Sequence, residues 1–206
     1  ETTLSMAPFL SACTGIDALV HAIEAFVSTG SGPLTDTHAL EAMRLIGGNL
    51  VQMIATPQDI ALREKIMLGS MQAGLAFSNA ILGAVHAMSH SLGGYLDLPH
   101  GMCNAALVEH VVAFNYHSAP ERFRMVAETL GLDVRGLNHE QIRLRLIDHL
   151  IAFKQSVGFH DTLKLHGVRV ADIPFLSRHA MEDPCILTNP RASSMRDVEV
   201  VYAEAL

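Results

Sequence analysis

The sequence predicts an all-α protein, a bundle of helices, and three observations carry that reading. Apolar residues recur at steps of three and four through much of the chain, the spacing of one helix face. No stretch of useful length alternates apolar and polar residues as a half-buried strand would, and there is no internal repeat. No Gly-rich GxGxxG loop, the mark of a phosphate-cradling βαβ unit, is present.

Residues 4–10 read as irregular, with Pro8 expected to separate them from the first helix. Thr14 is the expected N-cap of that helix, which runs through Phe26 or Val27. Residues 28–33, Ser-Thr-Gly-Ser-Gly-Pro, form a loop. A second helix covers about 35–54, where Ala39, Met43, Ile46, Leu50 and Ile54 share one face. Pro57 is expected in the first turn of a third helix that runs to about Asn79. The helix carrying His86 and His90 comes next, and Leu92-Gly93-Gly94 weakens it. After Pro99 a turn presents His100, and another helix spans about 102–114. Ala119-Pro120-Glu121 starts an amphipathic helix that ends near Leu130-Gly131, and 132–137 is a connector. Asn138 caps the most periodic helix, about 140–157, whose stripe is Ile142, Leu146, Leu150 and Phe153. Residues 163–170 read as a short extended piece, 172–182 as a shorter helix, and 196–206 as the last one.

At 206 residues the chain can bury one sizeable core, and we read 1–206 as a single all-helical domain. Only 17% of the residues are charged, against about 25% in typical soluble domains. That shortfall implies surface hidden by another subunit or a further domain. A net charge of −7 with no Lys/Arg run argues against nucleic acid as a partner. Three cysteines, Cys13, Cys103 and Cys185, stand far apart without a CxxC pair, so we expect buried free thiols and a cytoplasmic location. The start, ETTLSMAPFL, has no basic segment before an apolar one, so we expect no signal peptide. The apolar runs are interrupted by His, Glu, Ser or Gly, and we expect no membrane span. The chain does not begin with Met, and its start fits a cut at a domain junction.

Chemistry concentrates in one stretch, GAVHAMSHSLGGYLDLPHGMCN, from Gly83 to Asn104. His86 and His90 stand four apart, on one helix face, and His100 comes after the Pro99 turn. Imidazoles gathered from a helix and a turn suit a borderline divalent metal. Upstream, GIDALVHAIE places Asp17 and His21 at the same spacing in an apolar stretch. An acid and a histidine there are expensive unless paired or metal-bound. Taken alone, each pair reads as well as buried hydrogen-bonded side chains. Glu24, three residues after His21, does not complete a di-iron pattern, which needs repeated Glu-x-x-His pairs. His38, His110, His117, His139, His149, His166 and His179 read as surface residues, and His160-Asp161 as a turn.

On these motifs, the chain resembles the iron-containing (group III) alcohol dehydrogenase family, in its helical C-terminal domain. The resemblance is carried by GIDALVHAIE, by Ala73-Gly74-Leu75-Ala76-Phe77-Ser78-Asn79, and by Leu82-Gly83-Ala84-Val85-His86-Ala87-Met88-Ser89-His90. Pro99-His100-Gly101, Asn104-Ala105 and Thr188-Asn189-Pro190-Arg191 continue it, and it is weakest between Pro120 and Ala171. It implies Asp17, His21, His86 and His100 as metal ligands. His90 it places in the active-site cleft, either supporting a ligand or touching substrate or nicotinamide as a proton relay. It further implies Fe²⁺, with Zn²⁺ an alternative, and NAD or NADP bound mainly by an N-terminal α/β domain that these residues do not contain. The implied reaction is metal-assisted hydride transfer between a small alcohol or aldehyde and the nicotinamide, in a homo-oligomer. Readings of other classes stay open: a non-catalytic metal-binding or oligomerisation module, and a metal-dependent hydrolase. Asn189-Pro190-Arg191 reads as a structural turn.

Overall fold

The computed structural model describes residues 2–160 and 162–206, so the Asp161 half of the His160-Asp161 pair lies outside the described residues. Nine α-helices are present among them: α1 Pro8–Val27, α2 Pro33–Ala55, α3 Ile60–Ala80, α4 Ala84–Leu96, α5 His100–Asn115, α6 Pro120–Thr129, α7 His139–Ser156, α8 Ile173–Glu182 and α9 Met195–Glu204. The described residues contain no strand. The expected 163–170 extended piece is a set of turns instead, closed by local bonds such as His166 N–H to Leu163 O at 3.1 Å.

Helix α1 is the hub, packing on α2, α3, α5 and α6. It carries Ile16, Leu19, Val20, Ile23 and Phe26 into the core, all at or below 2% exposure. It begins six residues before Thr14. Pro8 opens the helix instead of standing apart from it, because the first helical N–H has no intrahelical partner for proline to forfeit. Thr14 lies inside the helix, its hydroxyl donating back to Leu10 O at 3.1 Å. By length and hydropathy alone α1 is long and apolar enough to cross a membrane. However, 78% of its apolar window is buried by its neighbours, so its hydrophobicity serves the core.

Helix α3 starts at Ile60, not at Pro57, because Asp59 caps it by accepting Leu62 N–H at 3.1 Å. It packs along α2, and at its end the chain swings through 102° into α4. The corner is tight. Ile81 sits at φ 61°, a sparsely populated region for a β-branched residue. Gly83, next but one, is approached so closely that a Cβ there would meet Glu24 Oε1 and Asn189 Oδ1, each at 2.9 Å. The corner aims the N-terminus of α4 at Glu24, near the C-terminal end of α1.

His100 is the first residue of α5 and not part of a preceding turn. The next residue, Gly101, lies against α1, where a Cβ would come within 2.0 Å of Cys13 O. Only hydrogen fits there. We expect Gly101→Ala to cost about 1–3 kcal/mol by overpacking and to displace His100. Urea unfolding measures this, and wild-type stability would refute the close approach. Elsewhere the expected helices agree within a few residues, including Asn138, which accepts Gln141 N–H at 2.9 Å. The three cysteines are free and buried. Of the histidines expected at the surface, His38, His110, His149 and His166 are half-buried.

Candidate metal centre

Asp17 and His21 stand one turn apart on α1, with His21 Nδ1 3.8 Å from Asp17 Oδ2. Helix α4 brings His86 across, its Nε2 3.5 Å from Asp17 Oδ1. The first position of α5 brings His100, its Nε2 3.3 Å from the same oxygen. Donor atoms of Asp17, His21 and His86 all lie within 4.8 Å of one another. The rings of His21 and His86 stack at 4.4 Å, and those of His86 and His100 lie 5.2 Å apart. Exposure rises from 1% at His86 to 37% at the His100 side chain, so the cluster has a closed floor and an open side. Phe77 stacks on the other face of His21 at 4.4 Å.

Three further residues build this floor. Glu24, which completes no metal pattern in the sequence, is 3% exposed and ties α1 to α4. Its Oε2 accepts the His86 ring Nδ1–H at 2.7 Å, and its Oε1 accepts Val85 N–H at 2.7 Å. The His86 N–H also donates to Oε2, at 3.2 Å. Binding of Nδ1 leaves Nε2 turned to the cluster, the arrangement that orients metal-bound histidines. The sequence marks Glu24 as a buried acid, one turn after His21 in the same apolar stretch, but does not indicate its partner. Second, the Asn104 amide donates to Asp17 Oδ1 at 2.7 Å and lies 3.3 Å from His86 Nε2. Third, the Asn189 side chain accepts Ala84 N–H at 3.0 Å, satisfying a free donor at the start of α4. Paired amide bonds of 2.8 Å with Asn115 fix it. The expected turn at Asn189-Pro190-Arg191 thus also caps the helix that carries His86.

His90 lies at the edge of the cluster. Its ring stacks on His100 at 5.1 Å, its side chain is 44% exposed, and Nδ1 is 2.7 Å from Asp183 Oδ2. Beside it opens a cavity of about 560 Å³ walled by Tyr95, Phe175, His179 and Asp183.

The electrostatics suit a cation. Burial drives His21 down to about 3, helped by the nearby His86, so it is a neutral imidazole. Burial and His86 also lower His100, against the pull of Asp17. His86 goes the other way: burial lowers it, but hydrogen bonds to Asp17 and Glu24 prevail and bring it to about 9. Burial pushes Asp17 up, yet the surrounding imidazoles hold it below its ordinary value. A carboxylate and three imidazoles therefore converge, with a proton on His86 doing part of a cation's work. The buried Asn104 Oδ1 has no partner. Nitrogen and oxygen donors on an open-sided floor fit a divalent transition ion that keeps a free coordination position.

Over residues 11–206 the chain matches the family model described as Fe-containing alcohol dehydrogenase family, C-terminal. It is 38% identical over 196 residues to the 1,3-propanediol dehydrogenase of Klebsiella pneumoniae, covering 95% of this chain and 51% of that protein. With the NAD-dependent methanol dehydrogenase of Bacillus methanolicus it shares 40% over 197 residues, covering 96% and 52% respectively. The crystal structure of a 1,3-propanediol oxidoreductase superposes with a TM-score of 0.96 at 36% identity, covering 98% of this chain and 53% of that one. The chain spans about half the length of the curated relatives it matches. It belongs to the Fe-containing alcohol dehydrogenase family and corresponds to the C-terminal part of that family.

Proposed function

We propose that residues 1–206 form the metal-bearing helical domain of an NAD(P)-dependent alcohol dehydrogenase, with Asp17, His21, His86 and His100 as the ligands. The convergence of these four side chains on a floor braced by Glu24 carries the reading. The donor set suits Fe²⁺ and also Zn²⁺. When bound, the ion supplies Lewis acidity at the oxygen of an alcohol or aldehyde. The chain's own residues do the rest. Glu24 holds His86 in register, Phe77 covers His21, and His90 would take up the hydroxyl proton at Nε2; a bound nicotinamide would supply the hydride chemistry. The open side of the cluster is where an N-terminal α/β domain would present that nicotinamide. Propanediol and methanol, named for the relatives, put small alcohols and their aldehydes first among substrates. The low charged fraction, 17%, supports a covering domain or a homo-oligomeric partner, and the buried free thiols support a cytoplasmic setting.

Anaerobic iron loading followed by elemental analysis tests the site. Mixing with a separately supplied N-terminal half, an alcohol and NAD⁺ or NADP⁺ tests the reaction. By itself the chain is expected to reduce neither nucleotide, because hydride transfer needs the nicotinamide held at near-attack distance. Turnover by the chain alone would overturn this division of labour. Metal-dependent ester or phosphate hydrolysis without nicotinamide would replace the proposal with a hydrolase.

Metal uptake should depend on pH with a definite sign. His86 carries a proton in the metal-free protein up to about pH 9, and a ligand must give its proton up. Apparent affinity is therefore expected to rise with pH towards about 9, by up to roughly tenfold per unit for one displaced proton. His21 is neutral down to about 3 and adds nothing to that slope. Calorimetry in buffers of different ionisation enthalpy would count the released protons, and a flat profile from pH 6 to 8 would show that His86 carries no extra proton in the metal-free protein.

A further inference from the structure

The part His90 can play depends on which of its ring nitrogens carries the lone pair. Two histidines one turn apart on α4 each direct Nδ1 to a carboxylate from a distant part of the chain. For His86 the partner is Glu24, 62 residues away, and the pair is buried. For His90 it is Asp183, 93 residues away, at 2.7 Å. The two carboxylates are anchored alike by backbone. Asp183 Oδ1 accepts Cys185 N–H at 2.8 Å, at the start of the short 3₁₀ turn Pro184–Thr188. Burial pushes the Asp183 carboxyl up, but the Cys185 N–H and His90 hold it below its ordinary value, so it is ionised and can only accept.

We propose that Asp183 is the positioning residue for His90: it accepts Nδ1–H, fixes the Nδ1-protonated tautomer and leaves Nε2 as the acceptor beside the metal cluster. The inference deepens the proposed function, resting on it for what Nε2 does and on geometry alone for which nitrogen is free. An unconstrained imidazole would exchange its proton between the two nitrogens and swing about its side-chain bonds. Here the stack on His100 and the bond to Asp183 hold both the plane and the tautomer of the ring. The Cys185 sulfur also lies within reach of both groups, near enough for the three to hold a cation. Burial and the Asp183 carboxylate push that thiol up to about 12, which favours a hydrogen-bonded trio over a thiolate ligand.

Long-range ¹⁵N NMR of the His90 ring in this chain, metal-free and in alkaline buffer, reads the tautomer directly. The expected spectrum has a pyrrole-type Nδ1 and a pyridine-type Nε2. Asp183→Asn can keep the acceptor for Cys185 N–H while turning an amide N–H towards His90, so the tautomer should invert. Asp183→Glu keeps a carboxylate and should restore at least part of the original signal. A wild-type Nε2–H tautomer or an Asp183→Asn ring that does not change would each overturn the proposal. Iron content of Asp183→Asn is expected to match wild type, because Asp183 touches none of the four ligands. If the wild-type chain takes up no metal, the proposed function falls while the tautomer result stands.

Discussion

Replacing His86 and His100 together with alanine is expected to reduce bound metal to background, as measured by elemental analysis after anaerobic loading. The two rings reach the same Asp17 oxygen, at 3.5 and 3.3 Å, from two different helices. Without them the cluster retains only Asp17 and His21, neighbours on α1, and two donors cannot enclose an ion that wants at least four. His100 is substantially exposed and its loss is mild, but losing His86 leaves the buried Glu24 carboxylate without its ring partner, so His100→Ala alone, which keeps that pair, is read beside the double variant. His90→Ala is the contrasting variant, since its ring meets Asp183 and not Asp17. It should keep most of the metal and impair turnover in an enzyme restored to full length. Unchanged metal in the double variant would remove the assignment of His86 and His100, whatever the family relationship.

Glu24→Ala should do damage out of proportion to its distance from the open face. The buried carboxylate takes hydrogen bonds from Val85 N–H, His86 N–H and His86 Nδ1. Truncation strands all three donors in a site without water access. Breaking a buried charged pair from one side costs about 3–5 kcal/mol, so chemical denaturation should show a loss of that size. The His86 ring would also be free to rotate, and loss of such an orienting carboxylate lowers metal affinity by about 10–100-fold. Glu24→Gln separates the two effects. It fills the volume but accepts at one oxygen only and turns its NH₂ against the remaining donor, so part of the stability should return, whereas the lost charge keeps affinity low. A Glu24→Ala protein with wild-type stability and metal affinity would show that the α1–α4 brace is dispensable.

Much of this arrangement is legible in the chain without its fold. The i, i+4 pairs Asp17/His21 and His86/His90 need only the helical repeat, and the helices themselves announce their apolar faces. Where structure and sequence expectation part, local signals have competing meanings. Pro8 starts a helix as readily as it ends one, and Pro57 loses the third helix to the better cap at Asp59. His100 reads as a turn residue because a position before a helix and a position just after Pro99 look alike in sequence. The four candidate ligands are legible through motif order and spacing.

Their supports are not. Glu24 with His86, Asn104 with Asp17, Asn189 with the start of α4 and Asp183 with His90 join residues 62, 87, 105 and 93 positions apart. Periodicity tells which face of a helix is buried, but not which residue of another helix it will meet. That depends on crossing angles set elsewhere, at the 102° corner around Ile81 and Gly83 and at the contact of Gly101 with Cys13. The sequence by itself determined the helices and singled out the candidate donor side chains, because both patterns are encoded within a few residues. Only the tertiary structure decided which ring nitrogen of His86 faces the cluster, because that choice belongs to a carboxylate on another helix, 62 positions away.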